Sequence, residues 1–279
     1  MSPPLASGTL PLSAPVYAIL SALIESASGL HYGLDDRDLF AARVSSRALD
    51  AGFESLLDYY YFLRYDPEGP TALAQLVESL LVHETYFYRE ADSLEAMVEL
   101  VLAPAVQAGR RPRVWCAACA TGEEPLTLAM MLEERGLLHE VEIVASDLSA
   151  RALERARRGE FNGRAFRAIS SEREKRYFIR TGERALVSPA LAKRIEWRQV
   201  NLMEDTEVRA LGTFDLVACR NVLIYFSDET AKRVVERLAA RLVGNGHLLV
   251  GTSESLLRFG TQLRCEERRG IFFYVREHA

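Results

Sequence analysis

The sequence has no basic excess. Its 279 residues carry 34 Lys and Arg against 39 Asp and Glu, for a formal net charge of -5 and a pI near 5.7. No block of Lys and Arg breaks that balance, which argues against the broad basic face of a nucleic-acid-binding protein. Nor is there any run approaching the roughly twenty apolar residues that a membrane span needs. The first fourteen residues hold Pro3, Pro4, Pro11 and several serines, with no charged start and no apolar run behind it. They read as a frayed tail and not as a secretion signal. A cytoplasmic protein with no membrane insertion and no nucleic-acid partner is expected.

Cysteine is also scarce. Cys116, Cys119, Cys219 and Cys265 are too few and too unevenly spaced for a disulfide framework in a chain this long, so reduced thiols are the default. Trp115-Cys116-Ala117-Ala118-Cys119 has the outline of a thiol oxidoreductase motif. Such a redox domain is a compact unit of about a hundred residues, whereas here strand-and-helix alternation continues long after the pair. A second Cys-x-x-Cys is missing, and His31, His83, His139, His247 and His278 are scattered, so no metal site is expected. Cys116 and Cys119 read most simply as small buried residues.

What the chain does contain is an ample apolar fraction, 49%, divided between two patterns. Residues 15–92 read as helices alone. Val16, Ile19, Leu20, Leu23 and Ile24 share one stripe, further helices are expected over about 36–51, 55–63 and 71–82, and Gly52 should follow the second. Five Arg against thirteen Asp and Glu give residues 1–92 a net charge of -8, leaving +3 for the remainder.

From Arg113 onward, short apolar strands alternate with helices, the pattern of a parallel sheet with helical crossovers. Strands are expected at 113–117, 141–146, 214–219 and 247–251, with a terminal pair at 263–265 and 271–275. Helices should begin near Glu123, Ser149 and Asp228, the last running to a stop at Gly244-Asn245-Gly246. A polar segment over about 171–197, with short strands at 185–187 and 195–197, reads as a small β insertion. The expected organisation is a tail over 1–14, a helical domain and linker over 15–92, and an α/β domain over 93–279 carrying that insertion.

Ligands of open α/β sheets bind beyond the carboxyl ends of the strands. After the first strand comes Cys116-Ala-Ala-Cys119-Ala-Thr121-Gly122-Glu123-Glu124-Pro125, a turn of small residues without the several glycines that cradle a pyrophosphate. S-adenosylmethionine fits such a turn better, because it offers a sulfonium, an ammonium and a ribose diol in place of phosphates. Glu124 and Asp147 are the acids placed to meet them. Glu124 has a local alternative, a capping box with Thr121. Asp147 stands 25 residues after Gly122, where nucleotide-binding α/β domains hold the ribose, and its alternative is an N-cap for the next helix.

Five collinear segments then carry a resemblance: Thr85-Tyr86-Phe87-Tyr88-Arg89-Glu90, Val114-Trp115 to Pro125, Ala145-Ser146-Asp147-Leu148, Val200-Asn201-Leu202, and Cys219-Arg220-Asn221-Val222-Leu223-Ile224-Tyr225-Phe226. In that order they resemble the motifs of the chemotaxis receptor methyltransferase (CheR-type) family, from about residue 15 to the end of the chain. The resemblance implies an all-α amino-terminal domain followed by a Rossmann-like, S-adenosylmethionine-dependent methyltransferase domain with a small β insertion. It implies that Thr85, Arg89, Glu124, Asp147, Asn201, Leu202, Arg220 and Asn221 bind or frame the cofactor. Arg89 and Tyr225 would lie nearest the transferred methyl, while Phe87 and Phe226 would pack. The implied reaction esterifies glutamates on the cytoplasmic helical domain of bacterial chemoreceptors, leaving S-adenosylhomocysteine.

Three departures accompany it. His83 stands where many members have asparagine; it is a candidate to replace a cofactor contact there, and its alternative is a simple packing histidine. The second helix keeps only Arg37, Arg43 and Arg47 amid aspartates, where familiar members are arginine-rich. The insertion is shorter than in members that grasp a receptor's carboxyl-terminal peptide, so direct binding without that tether is expected. A docking module that has lost turnover is the alternative from another class.

Overall fold

The computed structural model describes residues 8–277 and divides into two compact units, one of residues up to Val82 with Tyr225–Ser227, the other of His83–Ile224 and Asp228 onward. Of the tail expected over 1–14, residues 1–7 lie outside the described residues, as does His278. Residues 10–13 are tied down: Leu10 N–H donates to Ser45 Oγ at 3.0 Å, Arg37 bonds the Leu12 carbonyl, and Ser13 Oγ caps the first helix.

The first unit is helical. It comprises α1 (Ala14–Ser28), α2 (Arg37–Asp50), α3 (Leu56–Tyr65) and α4 (Gly69–Leu80). Ser13 and Ser55 satisfy free amides at the starts of α1 and α3, and Gly29 ends α1 in the left-handed region at φ 82°. The stripe of α1 that is buried holds Tyr17, Leu20 and Ile24, packed with Phe40, Val44, Tyr59, Leu76 and Leu80.

The second unit opens on a helical run that the sequence pattern does not assign: α5 (Ala91–Met97), a π-helical turn (Val98–Leu102) and α6 (Ala103–Gln107). Then come β1 (Arg113–Ala117), α7 (Glu123–Glu134), β2 (Glu142–Asp147), α8 (Ala150–Arg158) and β3 (Glu160–Asn162). Next are α9 (Ser171–Tyr177), β4 (Phe178–Thr181), β5 (Arg184–Val187), α10 (Pro189–Ala192), β6 (Ile195–Gln199), α11 (Asp205–Ala210) and β7 (Phe214–Cys219). The unit closes with α12 (Asp228–Ala239), β8 (Leu242–Val250), β9 (Arg264–Arg268) and β10 (Ile271–Val275).

The main sheet has the order β6-β2-β1-β7-β8-β10-β9, parallel from β6 to β8 and antiparallel through β10 and β9. Alternate residues, Val114 and Cys116, Ile143 and Ala145, Leu216 and Ala218, enter one apolar core with Met97, Leu102, Leu126 and Met130 of the covering helices. Both faces of these strands are covered, so each is buried almost without interruption along its length. The strand order reverses beside β1, so β2 and β7 flank it, and their three carboxyl ends meet there.

Two expectations are corrected. Ile195–Gln199 is not part of the insertion: it pairs in parallel with β2, Ile195 opposite Ile143, as an edge of the main sheet. Its short, mixed pattern hid it, because an edge strand needs only one buried face. The insertion is the separate sheet β3-β5-β4. Gly244-Asn245-Gly246 does not stop a helix either. The helix ends at Ala239, and the triplet forms a bulge within β8, where the register against β7 slips between Phe214–Leu242 and Leu216–His247. Asn245 takes φ 61° there, so the stop residues serve a strand irregularity.

Candidate active site

The turn from β1 into α7 is tightly wound. Ala118, Ala120 and Gly122 all have positive φ, 56°, 48° and 94°. Left-handed alanines cost about 1 kcal/mol each and persist only where surroundings fix them. Here they are fixed: Cys119 N–H donates to the Ser146 carbonyl at 2.9 Å, and Ala120 N–H to Asp147 Oδ2 at 2.7 Å. Gly122 is required by space as well as by φ, since a Cβ would lie 2.8 Å from both Ala156 Cβ and the Trp197 ring.

Asp147, at the end of β2, is buried. Its Oδ1 accepts from Ser149 N–H at 2.9 Å and its Oδ2 from Ala120. The cap of α8 is Ser149, whose hydroxyl accepts from Ala152 N–H, so Asp147 is not the N-cap. Val200 N–H donates to the Asp147 carbonyl, which brings residues 200–202 alongside. Asn201 Oδ1 accepts from Met203 N–H, and Leu202 is buried with its carbonyl bonded by Arg237.

The capping-box reading of Glu124 is overturned. Gly122 occupies the N-cap position, Thr121 donates its hydroxyl to Glu123 Oε2 at 2.6 Å, and Glu124 reaches across to β7. There Arg220 Nη1 meets Glu124 Oε2 at 2.7 Å, while its Nη2 meets Glu90 Oε2 at 3.1 Å and the Arg89 carbonyl at 2.9 Å. The Arg220 side chain is 1% exposed, whereas the Glu90 and Glu124 side chains are 18% and 14% exposed. Burial raises the Glu124 carboxyl, partly offset by Arg220. Burial would raise Glu90 as well, but hydrogen bonding by Asn221 and the Arg220 charge outweigh it and hold Glu90 low.

Asn221 has φ 57°, and its Nδ2 donates to Glu90 Oε1 at 3.0 Å. Glu254 anchors the same turn, accepting from Asn221 N–H at 2.7 Å and Gly251 N–H at 2.8 Å. Gly251 makes this approach possible, because a Cβ there would stand 2.6 Å from Asn221 Nδ2. Glu90 and Glu254 are therefore site residues that sequence reading missed. Glu90 had a signal, its place beside Arg89 in the first motif; Glu254 had none.

The structure thus gathers Arg89, Glu124, Arg220 and Asn221 at the ends of β1 and β7, with Asp147 and Asn201-Leu202 at the ends of β2 and β6. Arg89 is partly exposed; Nη1 donates to the Glu84 carbonyl at 2.7 Å and Nε stands 4.0 Å from Glu90. His83 and Thr85 are half-buried on the segment leading to Phe87, and His83 Nε2 is buried without a hydrogen-bond partner. Phe87 packs among Phe161, Phe166 and Phe178, as expected of it. Tyr225 belongs to the first unit: its ring packs on the helical core and its carbonyl accepts from His31 N–H.

The redox motif fails on chemistry. Cys116 and Cys119 are buried, and burial first, then nearby carboxylates, pushes both thiols well up, the opposite of a reactive thiolate. Among the described residues no group of three or more His, Cys, Asp or Glu is placed to hold a metal ion, and no helix is long and apolar enough to cross a membrane.

A Rossmann-like sheet whose β1 turn is fixed by an acid after β2, with carboxylates gathered around Arg220 beside it, suits an S-adenosylmethionine-dependent methyltransferase. The donor set fits that ligand, since four carboxylates, Glu90, Glu124, Asp147 and Glu254, against two guanidinium groups, Arg89 and Arg220, leave negative charge for a sulfonium or ammonium. Comparison with known proteins narrows the class. Residues 16–81 match the CheR methyltransferase all-alpha domain, and residues 83–271 the CheR methyltransferase SAM binding domain. Chemotaxis protein methyltransferase 1 of Pseudomonas aeruginosa is 33% identical over 250 residues, covering 86% of this chain and 90% of that one. Chemotaxis protein methyltransferase Cher2 of Pseudomonas putida is 34% identical over 243 residues, covering 84% and 87%. The chain belongs to the CheR methyltransferase family.

Proposed function

We propose that this protein transfers the methyl group of S-adenosylmethionine to glutamate side chains of chemoreceptors, giving γ-glutamyl methyl esters and S-adenosylhomocysteine. The observation that carries the reading is the match of both units, in order, to the two domains of one methyltransferase family whose relatives bear chemotaxis names.

The residue roles are those the family motifs imply, and the chemistry of each side chain supports them. Asp147 holds the ribose hydroxyls, and Asn201 and Leu202 frame the adenine side. Glu124 and Arg220 present polar groups to the amino-acid end, with Asn221 shaping the turn and His83 and Thr85 closing the pocket from the preceding segment. S-adenosylmethionine supplies an electrophilic methyl when bound. A glutamate with a pKa near 4.3 is about 99.8% ionised at pH 7, so the nucleophile needs no base. What the chain must do is strip water from that carboxylate and align it, and orientation of this kind is worth roughly 7–11 kcal/mol. Arg89 suits the task because its planar fork fixes a carboxylate. Tyr225 is assigned a supporting role from its motif alone. The partner is the cytoplasmic helical domain of the receptor, bound without a tail-peptide tether, and no metal takes part.

The test is transfer of labelled methyl from S-adenosylmethionine to receptor-enriched membranes. Label released by mild alkali as methanol is expected, because esters hydrolyse that way. Alkali-stable label, or none, rejects the reading.

A further inference from the structure

Three stretches far apart in sequence meet beside Arg220, bringing Glu90, Glu124 and Asn221 together. Asn221 carries a left-handed backbone, φ 57°, which a residue with a side chain keeps only where its surroundings fix it. What fixes it is a turn that lies outside all five motifs, Gly251-Thr252-Ser253-Glu254. The turn follows β8 directly and is closed by the Glu254 N–H, which donates to the Gly251 carbonyl at 2.9 Å. Strands β7 and β8 run parallel with Cys219 opposite Val250, so the two chains leave the sheet side by side and their turns meet.

This turn holds the site by two arms. Thr252 N–H donates to Glu90 Oε2 at 3.1 Å, the same oxygen that accepts from Arg220 Nη2. The Glu254 carboxylate takes three backbone N–H groups: Oε2 accepts from Asn221 at 2.7 Å and from Gly251 at 2.8 Å, and Oε1 from Ile224 at 3.3 Å. Among the described residues Glu254 forms no ion pair, so its charge is set against amides alone. An ionised carboxylate suits this place because it accepts at both oxygens and donates nothing, whereas a glutamine offers one oxygen and turns its own N–H groups towards the remaining donor. The bonds reach from Asn221 to Ile224, and they pin the turn that follows Arg220 at both ends. Gly251 is fitted to the same purpose: a Cβ there would stand 2.6 Å from Asn221 Nδ2 and 2.9 Å from Glu254 Oε2.

We propose that Glu254 is a positioning residue of the cofactor site, acting through the Asn221 backbone to hold Arg220 and Asn221 against Glu90 and Glu124 and so setting the affinity for S-adenosylmethionine. The inference rests on the reading that these residues face the amino-acid end of that cofactor. Amide bonds to a charged acceptor are stronger than their neutral counterparts, and the two short bonds on Oε2 carry more of the hold than the long one on Oε1.

The experiment is calorimetric titration with S-adenosylhomocysteine, together with steady-state methyl transfer to receptor-bearing membranes, for the full chain and the variants Glu254→Ala, Glu254→Gln and Gly251→Ala. Glu254→Ala removes all three bonds: affinity should fall about tenfold or more, with a matching rise in the S-adenosylmethionine KM, while the receptor KM stays within about twofold. Glu254→Gln keeps one oxygen for the Asn221 and Gly251 amides and gives up only the longest bond, so affinity should return to within about threefold of the wild type. Gly251→Ala leaves Glu254 in place but crowds Asn221 Nδ2, and it should repeat the loss of affinity. A role confined to stability would lower the unfolding midpoint of Glu254→Ala and leave the S-adenosylmethionine KM of the folded enzyme unchanged. That result overturns the proposal, as does a glutamine variant that binds no better than the alanine variant. Should Glu254→Ala not fold, Gly251→Ala carries the same test, and wild-type affinity in it overturns the proposal. A wild-type chain that binds S-adenosylhomocysteine but forms no alkali-labile ester rejects the proposed function alone, and weaker binding by the alanine variant then still supports the positioning role. A wild-type chain that does not bind S-adenosylhomocysteine rejects both.

Discussion

Arg220 links two carboxylates contributed from far apart in the chain, Glu124 at 2.7 Å and Glu90 at 3.1 Å, and its own side chain is sealed from solvent. A buried cation that loses one partner is destabilised because its remaining charge goes uncompensated. Glu90→Gln removes half of the compensation and one acceptor of the Asn221 amide. Stability should fall by about 1–3 kcal/mol, measured by urea unfolding, and S-adenosylmethionine affinity should fall several-fold by calorimetry. A variant that matches the wild type in both would remove Glu90 from the site.

Arg89→Lys keeps the charge and loses the fork. Turnover should drop by at least a hundredfold while cofactor binding stays near normal, which single-turnover assays and calorimetry separate. Near-normal methyl transfer would take the orienting role away from Arg89.

At Gly122, both backbone and space forbid a side chain: φ is 94°, and an added Cβ meets Ala156 and Trp197 at 2.8 Å. Gly122→Ala should cost about 2–3 kcal/mol and weaken cofactor binding through the displaced turn. Intact stability would show that the turn relaxes freely.

Cys116→Ser should retain methyl transfer within a few-fold. Cys116 is buried next to the Glu124 carboxyl, and a serine of nearly the same size fits its place. Loss of turnover with normal cofactor binding would reopen a chemical role for the thiol.

His247 gives a pH signature. Burial first, then the Arg268 charge, lowers its pKa to about 4 from 6.5; Glu266 and Asp215 act the other way but do not prevail. The unfolded chain therefore binds a proton more readily than the folded one below pH 6.5. The stability associated with neutral His247 is complete above that pH and is lost as the pH falls from 6.5 towards 4. His247→Gln should flatten the difference in unfolding midpoint between pH 7.5 and 4.5, and identical slopes in the two proteins would refute the assignment.

The sequence by itself determined the succession of elements in the α/β unit. Short apolar runs set β1 and β7 to the residue, and Ser55 and Ser149 marked helix starts, because these signals are local. The motif stretches likewise located Glu124, Asp147, Arg220 and Asn221 before any contact was visible.

Only tertiary structure decided what those residues do to one another. Glu124 could cap its own helix or cross to Arg220, and the left-handed Gly122 with the neighbouring β7 chose the second. Glu90 and Glu254 entered the site because the ends of separate strands were brought together, and neither residue carries a periodic signal of its own. Ile195–Gln199 became an edge of the main sheet through pairing with β2, which no window of its own sequence encodes. Burial and hydrogen bonding across long sequence separations fixed these features, and both are properties of the assembled sheet and not of any short segment.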